Sequence, residues 1–105
     1  MAQFSVYQNK NPHSKNDIPL LLDIQTNLLE SLQTTVVVPL KKLAPNKAQM
    51  LAQLTPVLTI ENVDYLMLTP QLAGIQRKEL GEEVANIESA RTEILNALDF
   101  LFSGI

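Results

Sequence analysis

Polar and apolar residues alternate from Gln3 to Gln8, through Phe4, Val6 and Tyr7. A period of two with aromatic and β-branched residues predicts a half-buried strand. Asn9 to Asp17 is a polar loop containing Pro12. The run Pro19 to Gln25 reads as a more buried strand, because the alternation at Leu22 and Ile24 outweighs the helix preference of leucine. Thr26 to Leu32 is a connection that carries Leu28, Leu29 and Leu32. Apolar residues in a connection either fold under to seal a core or form an exposed patch for a partner. Gln33 to Leu40 is the clearest strand, since Thr34 to Val38 are all β-branched and restricted at χ1. Pro39 has no N–H to give to a ladder, so the strand is expected to end or meet an edge there. Lys41 to Thr55 is expected to be a loop with one helical turn. Pro56–Ile60 and Tyr65–Thr69 form a hairpin about the turn Glu61–Asp64. Pro70 to Gly74 breaks the chain, and Ile75–Leu80 is a polar edge strand.

The period then changes. Val84, Ile87, Arg91, Ile94, Leu98, Leu101 and Ile105 step by three or four, the spacing of one helix face. Leu95 and Phe102 widen that stripe. The pattern predicts a helix from Glu82 to about Ser103, with Glu82 and Glu83 at its positive end and Gly104 as a left-handed stop. Strands followed by one terminal helix predict a mainly β fold with α+β character. The expected architecture is a small antiparallel sheet or partly closed barrel with a single C-terminal helix.

The length, 105 residues, predicts one domain over 1–105. No apolar run approaches the ~20 residues of a membrane span. The N-terminus lacks the basic and apolar regions of a signal peptide. A cytoplasmic protein that does not enter a membrane is expected. There is no cysteine and one histidine, His13. This removes disulfides, thiolate metal sites and a cysteine nucleophile, and no metal or cofactor is expected. Residues 61–105 carry eight acids against Arg77, Lys78 and Arg91, within a net charge of −3. That acidic half suits a basic protein partner better than bare nucleic acid.

Candidate catalytic groups are sparse. His13 beside Ser14 is not a triad, because triads are spatial. Glu82 and Glu83 would lie about 100° apart on a helix and so would not face each other. Asp23 and Asp64 are carboxylates that nothing in the sequence brings together. Three glycines leave no phosphate-binding loop. No catalytic residue is assigned, and a non-enzyme is expected. The apolar end, Asp99 to Ile105, either covers the core edge or forms a docking surface.

Several short segments, in order, resemble the CcdB toxins of Ccd toxin–antitoxin modules. They are Gln3-Phe4-x-Val6-Tyr7, Asp23 to Leu29, Val37-Val38-Pro39-Leu40, Pro56 to Ile60, Met67-Leu68-Thr69, Gly81-Glu82-Glu83-Val84 and the closing Gly104-Ile105. The resemblance implies an SH3-like β core, a homodimer, and a toxin without catalytic activity that traps DNA gyrase on cleaved DNA through its A subunit. It implies a CcdA-type antitoxin, operator DNA contacted only through the antitoxin complex, and a role in plasmid maintenance. Carried onto this chain, it implies a gyrase-binding surface of Leu28, Leu29, Asp99, Ser103, Gly104 and Ile105. Ser103 stands where well-known members carry tryptophan, and Asp99 where they carry asparagine. The loops Gln8–Asn16 and Lys41–Met50 are polar and basic enough for an acidic antitoxin. Two alternatives stand beside this reading. One is an endoribonuclease toxin of the MazF/Kid kind, drawing on Arg77, Arg91 and scattered lysines. The other is a non-toxic remnant that only binds antitoxin.

Overall fold

The alternation of Gln3 to Gln8 becomes β1 (Ser5–Asn9), which pairs antiparallel with β2 (Leu20–Asp23). The structure, a computed structural model, describes residues 3–43 and 53–104. Beyond β2 come β3 (Thr34–Lys42), β4 (Val57–Ile60), β5 (Val63–Met67), β6 (Ala73–Gln76) and β7 (Leu80–Asn86). They form one sheet in the order β4-β5-β3-β2-β1-β7, with β6 also paired to β3. The sheet curls as a half-barrel against a helix, α1 (Arg91–Ser103). No helix among the described residues is long and apolar enough to cross a membrane.

Strand periodicity gives the sheet two unlike faces. Val6, Leu20, Leu22, Val38 and Leu40 point to one side, where Ile94, Ala97 and Leu98 of α1 complete the main core. Phe4, Leu22, Leu40, Met67 and Ile94 are fully buried there. Each such side chain contributes about 1.5–3 kcal/mol. The intervening residues Tyr7, Leu21 and Val37 form a second, smaller cluster with Leu80 on the opposite side.

β3 does not stop at Pro39. Its first half pairs with β6 as far as Val37↔Ala73, and its second half pairs with β5 from Leu40↔Met67. Val36 O accepts from Ile24 N on the β2 side, and Pro39 O accepts from Leu68 N on the other. Pro39 therefore aims its missing N–H at the handover between β6 and β5, where the omitted bond costs little. The β4–β5 hairpin turns at Glu61 and Asn62, with φ of 52° and 67°. Two positive φ values are the signature of a type I′ turn. The loop expected from Lys41 to Thr55 starts later, since Lys41 and Lys42 belong to β3, and most of it, residues 44–52, where its helical turn would fall, lies outside the described residues.

The expected edge strand Ile75–Leu80 is also redistributed. β6 ends at Gln76, a 3-10 turn spans Arg77–Glu79, and β7 begins at Leu80.

The predicted helix start is wrong. Glu82, Glu83 and Val84 belong to β7, and α1 begins at Arg91. β7 pairs with β1 through Ser5↔Asn86, Val6↔Ala85 and Tyr7↔Glu83, with register shifts on either side of Tyr7. Those irregularities break the two-residue alternation, so Val84 and Ile87 fall at helix-like spacing. The stop at Gly104 is as expected: φ is 73° and its N–H donates to Phe100 O at 2.9 Å.

Candidate functional site: a basic-rimmed cleft opposite the helix

The sheet face away from α1 is left partly open. Leu21, Val37, Pro39, Ala73 and Ile75 form the floor of a cleft of about 720 Å³. Lys10, Asn11, Ser14, Lys78 and Glu79 stand at its sides. Asn9 holds the first wall in place. Its Nδ2 donates to Ser14 Oγ at 3.0 Å and Ile18 O at 2.8 Å, while its Oδ1 accepts from Asn11 N at 3.0 Å. The facing wall is the 3-10 turn Arg77–Glu79, where a Glu79 carboxylate oxygen accepts from Gln76 N at 3.2 Å.

Among the described residues neither Lys10 nor Lys78 forms an ion pair. Two cations and one carboxylate therefore edge an apolar floor. His13 is exposed in the same loop, between Pro12 and Ser14, which both line the cleft. Such an arrangement can hold a phosphate and exchange a proton beside it.

Beyond the floor, on the same face, lies a charged cluster. Asp23 is 2% exposed and Thr35 1%. Asp23 Oδ1 accepts from Thr35 Oγ1 at 2.8 Å and from Gln25 N at 3.0 Å. Arg77 Nη1 stands 3.8 Å from Asp23 Oδ2. The same guanidinium donates from Nε to Leu32 O at 2.7 Å and from Nη2 to Leu29 O at 3.3 Å. Arg77 thus clasps the leucine-bearing connection to the sheet. A second hollow of about 510 Å³ opens beside it, lined by Leu32, Gln33, Gln76, Arg77 and Lys78. Sequence reasoning weighed Asp23 and Arg77 separately and missed the cluster. A lone acid in the apolar run Leu20 to Ile24 was the available signal, because a buried acid requires partners.

Leu28 and Leu29 sit on a 3-10 turn, Asn27–Leu29, and are 90% and 42% exposed. Asp99 and Ser103 are exposed on the last turns of α1, where Ser103 Oγ donates to Asp99 O at 2.7 Å. Gly104 caps the helix, and Ile105 lies outside the described residues. Among the described residues no hydrogen bond or ion pair joins the leucine turn to the helix end. Asp64 accepts from Thr59 Oγ1 at 2.7 Å within the β4–β5 hairpin, a different environment from that of Asp23. Among the described residues there is no group of three His, Asp or Glu fit to hold a metal.

Two solved structures share this fold. One is an endoribonuclease in complex with its cognate antitoxin from a mycobacterial species. It has a TM-score of 0.73 and 13% identity, covering 97% of this chain and 94% of that one. The other is an endoribonuclease from a mycobacterial species, with a TM-score of 0.68, 13% identity, and coverage of 97% and 90%. At that identity the likeness shows the fold.

It nevertheless corrects expectations that had been drawn from sequence. The specific identity as a Ccd-module toxin, the gyrase A partner, the trapping of cleaved DNA and the absence of enzymatic activity are not upheld, because nearly the whole fold is one that endoribonucleases use. The physical reason is that most of the motifs behind those expectations are structural. Phe4, Val6, Val38, Leu40, Leu58, Ile60 and Met67 are core residues, which report a fold and not a target. The fold itself is placed by a family model described as CcdB protein, which matches residues 3–104, and the chain belongs to that family.

Proposed function

We propose that this chain is an endoribonuclease toxin of the MazF/Kid kind, neutralised by an antitoxin. The supporting observation is the cleft on the sheet face opposite α1, with Lys10, Lys78 and Glu79 around an apolar floor. Nearly full-length likeness to endoribonucleases supports the same reading. Part of the acidic C-terminal half lies away from the cleft. Glu88, Glu93 and Asp99 are carried by the 3-10 turn Glu88–Ala90 and by α1, and α1 packs on the other face.

RNA supplies its own nucleophile, the 2′-hydroxyl. Cleavage requires that this hydroxyl lose its proton, that charge on the phosphate oxygens be stabilised, and that the leaving 5′-oxygen be protonated. Glu79 is the proposed base. Lys10 and Lys78 are the proposed phosphate cations; the ammonium beside the leaving oxygen donates a proton to it, and solvent then carries the proton held by Glu79 back to the lysine. The products are a 2′,3′-cyclic phosphate and a 5′-hydroxyl. Purified protein is expected to cut single-stranded RNA. Glu79→Gln is expected to slow the cut by about 10²-fold or more, the usual contribution of a positioned acid or base. Failure of the wild type to cut any RNA, with or without divalent cations, would sink the reading.

The chain acts as one cytoplasmic domain, with SH3-like closure of its barrel, and works as a homodimer. Light scattering in solution tests the dimer. Leu28, Leu29, Asp99, Ser103, Gly104 and Ile105, expected from the resemblance as a gyrase-binding surface, are proposed instead to meet the antitoxin, since gyrase is withdrawn as the partner. The endoribonuclease sharing this fold was solved with its cognate antitoxin, which supports a partner of that kind.

A further inference from the structure

Arg77 does not line the cleft, yet it opens the 3-10 turn whose next two residues, Lys78 and Glu79, do. It is fastened to the connection between β2 and β3 at three places. Its N donates to Gln33 O at 2.8 Å, its Nε to Leu32 O at 2.7 Å and its Nη2 to Leu29 O at 3.3 Å. Nη1 stands 3.8 Å from the carboxylate of Asp23, which Thr35 and Gln25 hold in turn. Within the turn, Leu80 N donates to Arg77 O, and a Glu79 carboxylate oxygen accepts from Gln76 N at 3.2 Å. One wall of the cleft is thus secured at its first residue, and three of its fastenings lie in a connection whose residues 26–33 are all exposed.

From this geometry we infer that Arg77 is a positioning residue for the cleft, and that the connection over 26–33 is a lever on cleavage that acts through it. The inference rests on the ribonuclease reading above and adds the control of that site. Glu79 must hold its carboxylate within reach of the 2′-hydroxyl, and a displacement of about 1 Å costs on the order of 10²-fold in rate. A carboxylate tied back to Gln76 cannot correct for a shift of its own turn. Lys78 can, because its exposed ammonium sits on a flexible stem and follows the phosphate. Loosening the Arg77 fork therefore falls on kcat and spares KM. The leucine-bearing connection becomes a place from which the cleft is controlled without being entered.

The test is steady-state cleavage of a labelled single-stranded RNA by wild type, Arg77→Lys, Glu79→Gln and the double variant, each assayed below its melting transition. Arg77→Lys keeps the charge and loses the fork. It is expected to lower kcat by about tenfold, with KM within about twofold of wild type. In the Glu79→Gln background the same substitution is expected to change kcat by less than about twofold, because the group it positions is gone. An unchanged kcat, an equal loss in both backgrounds, or a change confined to KM overturns the inference and leaves the ribonuclease reading standing. Glu30→Gly/Ser31→Gly loosens the connection at two exposed positions that lie outside the cleft wall. It is expected to lower kcat in the wild-type background and to leave kcat unchanged in Arg77→Lys. An unchanged kcat in the wild-type background overturns the lever. Should Arg77→Lys not fold, the glycine pair with and without Glu79→Gln decides by the same comparison. A wild type that cuts no RNA removes the ribonuclease reading and this inference with it.

Discussion

Arg77 Nη1 lies 3.8 Å from Asp23 Oδ2, and this guanidinium also carries Leu29 and Leu32 through their carbonyls. A strand acid with almost no exposure is thereby joined to a connection whose leucines face solvent. Removing one partner of a buried pair leaves the other charge uncompensated, at a cost of about 3–5 kcal/mol. The Arg77 side chain is 16% exposed, which places the expected loss for Arg77→Ala nearer 2–3 kcal/mol after partial hydration. Urea unfolding measures this. Limited proteolysis between Thr26 and Gln33 should accelerate in the same variant. Arg77→Lys should recover only part of the loss, because one ammonium cannot span Asp23, Leu29 and Leu32 together.

Gly81 fixes how closely β7 approaches β1. A Cβ there would meet Gln8 O at 2.8 Å and Gln8 Cβ at 2.9 Å. The first of these is backbone and cannot swing aside. Gly81→Ala is expected to cost about 1–3 kcal/mol through strand separation. The change should appear in the midpoint of denaturation and in faster amide exchange at the β1–β7 ladder.

These two sites show what the sequence made legible. Strands β1 to β5 follow from alternation and β-branched runs, and the helix stop follows from Gly104. The helix start did not, because register shifts beside Tyr7 let a strand imitate helical spacing. The cleft was out of reach for another reason. Its walls come from the loop after β1 and the turn before β7, which are distant in sequence and meet where Asn9 pairs with Leu80 in the β1–β7 ladder. Lys10 and Lys78 carry no mark in sequence that separates them from solvated lysines.

Thr69 is fully buried, and its hydroxyl finds no partner among the described residues. An orphaned hydroxyl costs about 1–3 kcal/mol in desolvation. Thr69→Val keeps the shape and removes the oxygen, so it is expected to stabilise the fold by about 1 kcal/mol. A rise in thermal midpoint checks it. A fall would mean that the hydroxyl is satisfied in solution.

Lys10 and Lys78 should reveal themselves through salt. Each phosphate contact to single-stranded nucleic acid contributes about 0.7 to the slope of log affinity against log salt. Lys10→Ala and Lys78→Ala are each expected to reduce that slope by about that amount. Titration of a labelled oligonucleotide at several ionic strengths gives the result. An unchanged slope in both variants would place the RNA elsewhere on the surface.

Leu28 is 90% exposed, so Leu28→Ser should alter stability by no more than about 0.5 kcal/mol. Its effect belongs to association. Affinity for the antitoxin is expected to fall by at least about tenfold, measured by calorimetry on the purified pair. Full affinity in the variant would remove Leu28 from the proposed contact.

The division of β2 and β3 into alternate residues has a consequence for engineering. Leu20, Leu22, Val38 and Leu40 answer to the main core, whereas Leu21 and Val37 floor the cleft and also pack in the smaller core. Reshaping the floor at Leu21 or Val37 therefore carries a packing cost, about 1–3 kcal/mol for an overpacked site. Retargeting the cleft is better attempted from its walls, at Lys10 or Lys78, whose side chains are exposed.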